Sequence, residues 1–267
     1  MGRYSFDNVW ENARQRLRGI EARFDPNTIR HLETLGVGDG WHCLEIGGGG
    51  GSIAEWLCQR VGRTGHVVAT DLDTRFLKAL DYANLEALRH NIVTDDLPEG
   101  AFDLIHERMV LSHLPERDTA LRRMVSALKP GGWLLCEELD NVSVAPASPP
   151  DAASRELYVK MENAVEQVMT ARGHVYDFGR RLYGLFHARG LTALQGEGHV
   201  ALRYAGARAE VARLTVDQLR GDIINAGYAT AGEIEAYFAL LKDPSFFAVG
   251  ATLFTVWGRR CSTVGDT

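Results

Sequence analysis

The chain has 267 residues, of which 45% are hydrophobic and 24% charged, an ordinary composition for a globular protein of one or two domains. The formal net charge of -6 argues against nucleic acid as the main partner, because nucleic-acid binding usually needs a basic face. Arg203, Arg208, Arg213 and Arg220 are the candidate basic patch, and we expect them to decorate a solvated helix and its approach instead.

Helices and strands alternate through the first half of the chain. Two helices are predicted first, at 6–19 and at 26–35, where Asp25 and Pro26 form an N-cap followed by a proline in the first helical position. Strands are then predicted at 43–46, 66–70, 85–90, 102–106 and 133–137, of which 43–46 is buried and 85–90 is weak, with helices at 52–61, 75–83 and 119–128. This alternation indicates a parallel sheet covered by helices on both faces.

The second half departs from this rhythm. Proline, alanine and serine residues at 145–150 predict a linker that leads out of the sheet. Helices are predicted at 151–172 and 177–189, a strand at 193–204, a mainly helical region at 208–242 with a break at Gly227, and a last strand at 247–257. The chain should therefore add helices to an α/β sheet of seven strands.

A glycine-rich turn follows the first predicted strand. Glycines there let the backbone turn tightly and let a ligand approach without a Cβ in the way. The dinucleotide fingerprint G-x-G-x-x-G, counted from Gly47, requires a third glycine where Ser52 stands. The pattern that fits is acidic-x-G-x-G-x-G, which Glu45, Gly47, Gly49 and Gly51 provide.

Asp71 stands at the end of the second predicted strand. An acidic side chain at this position can accept hydrogen bonds from both ribose hydroxyls of an adenosine. Asp71 could instead cap the helix that follows, although Asp73 or Thr74 could fill that role. Given the glycine-rich turn upstream, we favour the ligand-binding interpretation.

These motifs, in this order, resemble the class I S-adenosylmethionine (SAM)-dependent methyltransferases, especially bacterial small-molecule methyltransferases of the UbiE and Coq5 type. The resemblance covers about residues 25–140. It implies that Glu45 and the glycines hold the methionine part of SAM, and that Asp71, with Leu72 beside it, holds the ribose. Asn91 and Ile92 fall where the family contacts the adenine, usually through an aspartate, and Asp95-Asp96 offers a competing register.

The tips of the later strands carry further matches. The run 102–106 matches the family's fourth strand, which implies that Glu107 and Arg108 lie beneath the SAM sulfonium. Lys129-Pro130-Gly131-Gly132-Trp133 matches the turn into the fifth strand, a signature that NAD dehydrogenases do not share.

The resemblance also implies the fold and its division. We expect a Rossmann-like, seven-stranded, mostly parallel sheet with helices on both faces and an added helical lid. An N-terminal lid helix that bears Tyr4, Phe6 and Trp10 is expected in 1–24, over the sheet, and a SAM-binding core in 25–145. Helical cap insertions are expected in 146–175 and 206–243, and the remaining core helix and strands in 176–205 and 244–260.

Methyl transfer from SAM, which leaves S-adenosylhomocysteine, is an in-line displacement to which an enzyme contributes mainly proximity and alignment. A base is needed only where the nucleophile must lose a proton. His113 is the candidate base, although the family pattern around it also fits a structural histidine. The expected acceptor is a small molecule, with oxygen as the first choice of acceptor atom and nitrogen and carbon open.

Three other interpretations remain. A NAD(P)-dependent oxidoreductase would need the missing third glycine, and a non-catalytic SAM-binding protein would be expected to lack an enclosed acceptor pocket. Metal-dependent methylation could use Glu137, Glu138 and Asp140, but nothing fixes them in octahedral geometry, so we expect no metal.

We expect a cytoplasmic protein without a membrane partner. No apolar run approaches the roughly 20 residues that span a bilayer, and the N-terminus lacks the apolar core of a signal peptide. Cys43, Cys58, Cys136 and Cys261 include no CxxC pair, which argues against disulfides and structural zinc. The extra helices leave room for a homodimer, for which no heptad pattern specifies an interface.

Overall fold

The structure, a computed structural model, describes residues 12–205 and 207–262; for 207 and 208 it describes the backbone only. Its helices are α1 (Ala13–Thr34), α2 (Ser52–Val61), α3 (Arg117–Ala127), α4 (Ala152–Ala171), α5 (Leu182–Ala188), α6 (Ala207–Asn225) and α7 (Ala231–Leu240). Its strands are β1 (His42–Ile46), β2 (His66–Asp71), β3 (Leu85–Arg89), β4 (Phe102–Arg108), β5 (Leu128–Asp140), β6 (Ala145–Ser148), β7 (Thr192–Tyr204) and β8 (Phe247–Arg259).

The strands form one mixed sheet in the order β3-β2-β1-β4-β5-β8, with β6 and β7 both paired to β8. The first five strands are parallel, and β8 runs antiparallel to its neighbours. Because β7 pairs with β8 along the whole of one edge, β5 and β6 must share the other edge, end to end. The sheet therefore has the seven strand positions that were predicted, and β6 prolongs β5.

The prediction of a linker at 145–150 was wrong for its first part, which is β6. The Pro-Ala-Ser composition predicts irregular backbone, but β6 pairs only with β8, and a strand with one neighbour tolerates a proline such as Pro146.

The predicted break before Pro26 was also wrong, because α1 runs unbroken through Gly19 and Pro26. Its residues on both sides of the proline are held by tertiary packing: Phe24, Thr28 and Leu32 are buried. This packing outweighs the single backbone hydrogen bond that a proline removes. The start of the predicted helix at 6–19, and Tyr4, Phe6 and Trp10, lie outside the described residues.

The helix predicted at 75–83 is reduced to a 3₁₀ turn, Leu77–Ala79. Leu77 is fully buried, and both Leu77 and Leu80 pack under the glycine-rich turn, so close that a Cβ at Gly51 would lie 2.9 Å from Leu80 Cδ1. This contact pins the segment in an irregular path. The helix predicted at 177–189 is likewise a 3₁₀ turn, Gly179–Arg181, followed by α5.

Alternate residues of the strands face two separate cores. Leu104 and Val67 pack with α1 and α2 on one face, whereas Ile105 and Leu134 pack with α3 and α5 on the other. A third cluster joins α4, α6 and α7 into a helical cap beyond the carboxyl ends of the parallel strands. In the part of the chain that the structure describes, no helix is both long and apolar enough to cross a membrane.

Candidate functional site

A cavity of about 530 Å³ lies at the carboxyl ends of β1, β2 and β4. At one end it is lined by the glycine-rich turn and by the loops after β2 and β3, and at the other by α4, α6 and α7, while α1 forms a wall between them. The cavity brings together most of the predicted site residues: Glu45, Gly47, Gly49, Asp71, Leu72, Asn91, Ile92, Arg108 and His113.

The glycine-rich turn needs its glycines for conformation and for space. Gly47 has a φ of +67°, and a Cβ there would lie 2.4 Å from Val110 Cγ2. Gly51, also at positive φ, is the N-cap of α2 and does not line the cavity. Gly51 was predicted to contact the cofactor, but it lies behind the cavity wall, where it can only shape the turn. The backbone of 47–50 forms the surface that a ligand would meet.

Asp71 braces the turn as well as lining the cavity. Its Oδ2 accepts a hydrogen bond from the Gly49 N–H at 2.9 Å, and its Oδ1 accepts from the Asp73 N–H at 3.0 Å. Burial raises the pKa of the Asp71 carboxyl. The ligand and capping interpretations of Asp71 are thus compatible, since each oxygen retains a further acceptor site. Leu72 beside it is half exposed, as an apolar contact for a planar group would be.

Asn91 and Ile92 line the same end of the cavity. The Asn91 side chain already accepts from the Val93 N–H at 3.0 Å, and the Asn91 N–H donates to Asp95 at 2.9 Å. Asp95, the competing register, does not line the cavity and instead supports Asn91 from behind. Ile92 is 4% exposed and offers an apolar wall.

A buried chain of charged side chains lies under the glycine-rich turn, and sequence reasoning missed its centre, His106. The His106 Nδ1 is 2.6 Å from Glu45 Oε2, and its Nε2 is 3.5 Å from Glu137 Oε2. Burial disfavours the imidazolium, but the two carboxylates outweigh burial and raise the pKa of His106 to about 10. The one sign of this role in the sequence is a histidine within the apolar fourth strand. In the structure, the register of β1 and β4 places His106 beside Glu45.

Glu137 continues this chain toward α1. It accepts hydrogen bonds from the hydroxyls of Thr255, at 2.7 Å, and of Thr28. Arg108 donates to the Thr28 hydroxyl and to Asp25, each at 2.9 Å. The strand-four tip is thereby tied to α1, and Arg108 reaches the cavity wall from this position.

Glu107 does not line the cavity, although it was predicted to lie beneath the SAM sulfonium. It accepts from the Val110 N–H at 3.1 Å, and Glu138 accepts from the Ser112 N–H at 3.0 Å. Burial, reinforced by their proximity, raises the pKa of Glu107, and burial raises that of Glu138 to about 7. The two carboxyls anchor the cavity-lining segment 109–113, in which Met109 has a φ of +59°.

His113 lies on the cavity wall with its ring centroid 4.6 Å from that of His174. Burial lowers the pKa of His113 to about 3 and that of His174 to about 4, so both rings are neutral near pH 7. A neutral imidazole with so low a pKa is a weak proton acceptor.

The cap end of the cavity contains a cluster of polar side chains that was not predicted from the sequence. Arg203, from β7, donates to Glu162 of α4 and to Tyr158, each at 2.6 Å. Tyr237 of α7 donates to the same Glu162 oxygen at 2.8 Å. The expectation that Arg203 belongs to a solvated helix was wrong, because it is 9% exposed and packs inside the cap.

The remaining predicted acids and bases are not free for a site. Arg213 and Arg220 pair with acids of α6 and α7. Asp140 pairs with Arg180, and Lys129 pairs with Asp103 at 2.7 Å, away from the cavity.

Residues 44–134 match the family model described as a methyltransferase domain. The ubiquinone/menaquinone biosynthesis C-methyltransferase UbiE of Pseudoalteromonas translucida is 34% identical over 115 residues, which cover 40% of this chain and 46% of that protein. Methyltransferase str3 of Strobilurus tenacellus is 31% identical over 137 residues, covering 50% and 47%. The chain spans about half the length of these relatives.

Solved structures extend the likeness to nearly the whole fold. The YcgJ protein of Bacillus subtilis has a TM-score of 0.56 at 15% identity, covering 86% of this chain and 96% of its own. Phosphoethanolamine N-methyltransferase 2 of Haemonchus contortus, in complex with SAM, has a TM-score of 0.57 at 15% identity, covering 96% and 59%. Residues 44–134 are therefore similar to a methyltransferase domain, and the fold of the chain is similar to the folds of these two proteins.

Proposed function

We propose that this chain is a SAM-dependent methyltransferase that transfers a methyl group to a small-molecule acceptor and releases S-adenosylhomocysteine. One observation carries the proposal: a single cavity joins the glycine-rich turn, Asp71 and Asn91 to a second compartment walled by the cap. A protein that only bound SAM would not need this second compartment. A two-substrate displacement does need it, because both reactants must meet out of water.

The residues present fit SAM. The backbone of 47–50 lines the cavity without side chains, and Asp71 keeps acceptor sites for ribose hydroxyls. Glu45, Gly47, Gly49, Asp71, Leu72, Asn91, Ile92 and Arg108 would contact the cofactor, while Gly51 and Glu107 would act on the shape of the site. When bound, SAM supplies an electrophilic methyl group on its sulfonium.

The chain itself contributes position and exclusion of water. His106 holds the Glu45 carboxylate in one orientation beside the turn, and Glu107 with Glu138 fixes the segment 109–113 against the cavity. His113, proposed from the sequence as the base, stays a prediction. Its lowered pKa favours a contact role, in which H113N would raise the acceptor KM and leave the pH profile of kcat in place.

Oxygen is the acceptor atom that we propose first. The UbiE relatives are named as C-methyltransferases, which makes carbon the second candidate. Nuclear magnetic resonance of the isolated product distinguishes a methoxy group from a carbon-bound methyl group.

We also propose a division of labour, in which 25–145 binds the cofactor and the cap segments 146–175 and 206–243 bind the acceptor. The proposed boundary between residues 24 and 25 falls inside α1, so the lid helix and the core share one rigid element.

Titration calorimetry with S-adenosylhomocysteine, and with NADH as comparison, tests the cofactor assignment. We expect micromolar binding of the former and weakening of at least about tenfold in D71N, because a carboxylate accepts hydrogen bonds more strongly than an amide. D81N, at an exposed aspartate outside the cavity, is the matched control and should bind as the wild type does. Preferential binding of NADH would refute the proposal.

A further inference from the structure

The cap contains a buried ion pair whose presence stability does not explain. Glu162 and Arg203 are joined at 2.6 Å, with side chains 18% and 10% exposed. They lie in a cluster of apolar and aromatic residues that includes Tyr158, Met161 and Phe246. Replacing a buried pair by apolar side chains is often neutral or stabilising, so a pair in such surroundings calls for another role.

The pair retains unused hydrogen-bonding capacity at the cavity wall. Both hydrogen bonds to Glu162 end on Oε1, so its Oε2 has no hydrogen-bond partner among the described residues. Arg203 makes both of its hydrogen bonds through Nη1. Its Nε is buried and has no hydrogen-bond partner among the described residues. A buried polar atom such as Arg203 Nε is rarely left in this state unless something else satisfies it.

Tyr176 adds a third group beside the pair. Its ring lines the cavity, and its hydroxyl makes no hydrogen bond to any residue that the structure describes. Burial, and then the charges of Glu162 and Glu166, raise the pKa of Tyr176, so the hydroxyl stays protonated and can donate. A carboxylate oxygen that accepts and two groups that donate therefore lie together at the cap end.

The charges that the cap itself contributes are balanced, while the α1 wall opposite adds two cations and one acid. Glu162 neutralises Arg203, and His174 is held neutral by burial and by Arg117. The other charged side chains of the α1 wall are Arg16, Glu21 and Arg23, and Arg16 and Arg23 have interactions of their own within the chain. The cap walls between them are mainly apolar, formed by Val165, Met169, Val211, Ala212, Val216 and Ala251, and the Thr215 hydroxyl among them donates to the Val211 carbonyl.

We propose that Glu162, Arg203 and Tyr176 form the recognition site for a hydroxyl group on an uncharged, largely apolar methyl acceptor. The inference rests on the proposed methyltransferase function and specifies its substrate class. A hydroxyl group both donates and accepts, so it satisfies Glu162 Oε2 while it accepts from Arg203 or Tyr176. An anionic acceptor would face the Glu162 carboxylate without a surplus cation in the cap, and a cationic one would face Arg203.

Three matched aromatic probes test this site on the protein loaded with S-adenosylhomocysteine: 2-naphthol, 2-methoxynaphthalene and 2-naphthoate. We expect 2-naphthol to bind at least about tenfold more tightly than the other two, because only it is neutral and carries a hydrogen-bond donor. Tighter binding of 2-naphthoate, or no binding of 2-naphthol, would overturn the inference. Loss of S-adenosylhomocysteine binding would instead count against the methyltransferase function itself.

Variants separate recognition from structure. E162Q should weaken 2-naphthol binding by roughly 10- to 100-fold, and Y176F by roughly 2- to 10-fold, because a hydrogen bond to a charged group is worth more than a neutral one. Both should leave the affinities for S-adenosylhomocysteine and 2-methoxynaphthalene in place. Y176F removes one hydroxyl and leaves the ion pair intact, so it answers the question even where E162Q fails to fold.

The control is E166Q, one turn further along α4 and outside the cavity. Equal effects of E162Q and E166Q on the three probes would show that general electrostatics, and not a hydroxyl contact, determines binding. That result would refute the assigned site.

Discussion

His106 provides the sharpest test of the buried charges. It is fully buried between Glu45 and Glu137, and in the folded chain its imidazole is held charged. The substitution H106Q keeps the approximate size and a hydrogen-bond donor but removes the positive charge. Two buried carboxylates then face each other without the cation that separates them, so the variant should be strongly destabilised.

The size of the effect follows from the pKa. It rises from 6.5 to about 10 on folding, and each pH unit corresponds to about 1.4 kcal/mol, so the imidazolium carries on the order of 5 kcal/mol. Breaking a buried ion pair costs about 3–5 kcal/mol in general, which agrees. For a chain of this size such a loss lowers Tm by roughly 6–20 °C.

The stability difference between wild type and H106Q should depend on pH in a definite direction. Between about pH 6.5 and pH 10 the His106 imidazole keeps its proton in the folded state and loses it in the unfolded state, so its contribution to stability falls by about 1.4 kcal/mol per pH unit as pH rises. The advantage over H106Q is therefore complete below about pH 6.5 and is lost as pH approaches 10. Titrations of groups that do not contact His106 are common to both proteins and cancel in the difference.

Urea unfolding followed by circular dichroism, at about pH 6, 7.5 and 9, measures this difference directly. H42Q is the matched control, because His42 is exposed on the neighbouring strand, and it should change stability little at any pH. Parallel stability curves for wild type and H106Q would show that the folded imidazole is neutral, and would refute the reasoning.

Three further predictions concern single positions. G51A should lower the free energy of unfolding by about 1–3 kcal/mol and weaken S-adenosylhomocysteine binding, because the φ of +94° is unfavourable for alanine and its Cβ would meet Leu80; denaturation and calorimetry measure both. E138Q should gain stability relative to wild type as pH rises from about 4.5 to 7, since the raised pKa of Glu138 makes its ionisation costly beside Glu107; unfolding midpoints at about pH 5 and pH 8 should diverge. T230A should lose about 1 kcal/mol through the capping box of α7, with cofactor binding unchanged in the same titration.

Local patterns predicted the cofactor half of the sheet well. The strands from β1 to β4 and helix α2 were placed close to their observed bounds, because each combines a short apolar run or an amphipathic period with clear turn residues. β5, which was predicted at 133–137, extends further at both ends, from Leu128 to Asp140. The failures at Pro26 and at 75–83 have one cause. In both, tertiary packing, of α1 against the core and of Leu77 under the glycines, overrides the local preference.

The candidate site likewise has one part that the sequence could predict and one part that it could not. The residues that line the cofactor end follow strand tips in order, so their convergence can be predicted from a parallel sheet. The pairs Glu45 with His106 and Glu162 with Arg203 join residues about 40–60 positions apart, and a single sequence gives no spacing rule for them. Burial, which decides whether Glu107 faces a ligand or a loop, is likewise a property of the folded chain.

The position of β8 has a consequence for how the chain is made. β8 lies inside the sheet, between β5 and β7, although it is the last strand of the described chain. A ribosome therefore releases β5, β6 and β7 before the strand that covers their edges has been synthesised. During that interval the nascent chain exposes long unpaired edges, which are sites of intermolecular pairing. Chaperone dependence during translation, and aggregation of chains that stop short of residue 247, are the expected outcome of inserting this strand last.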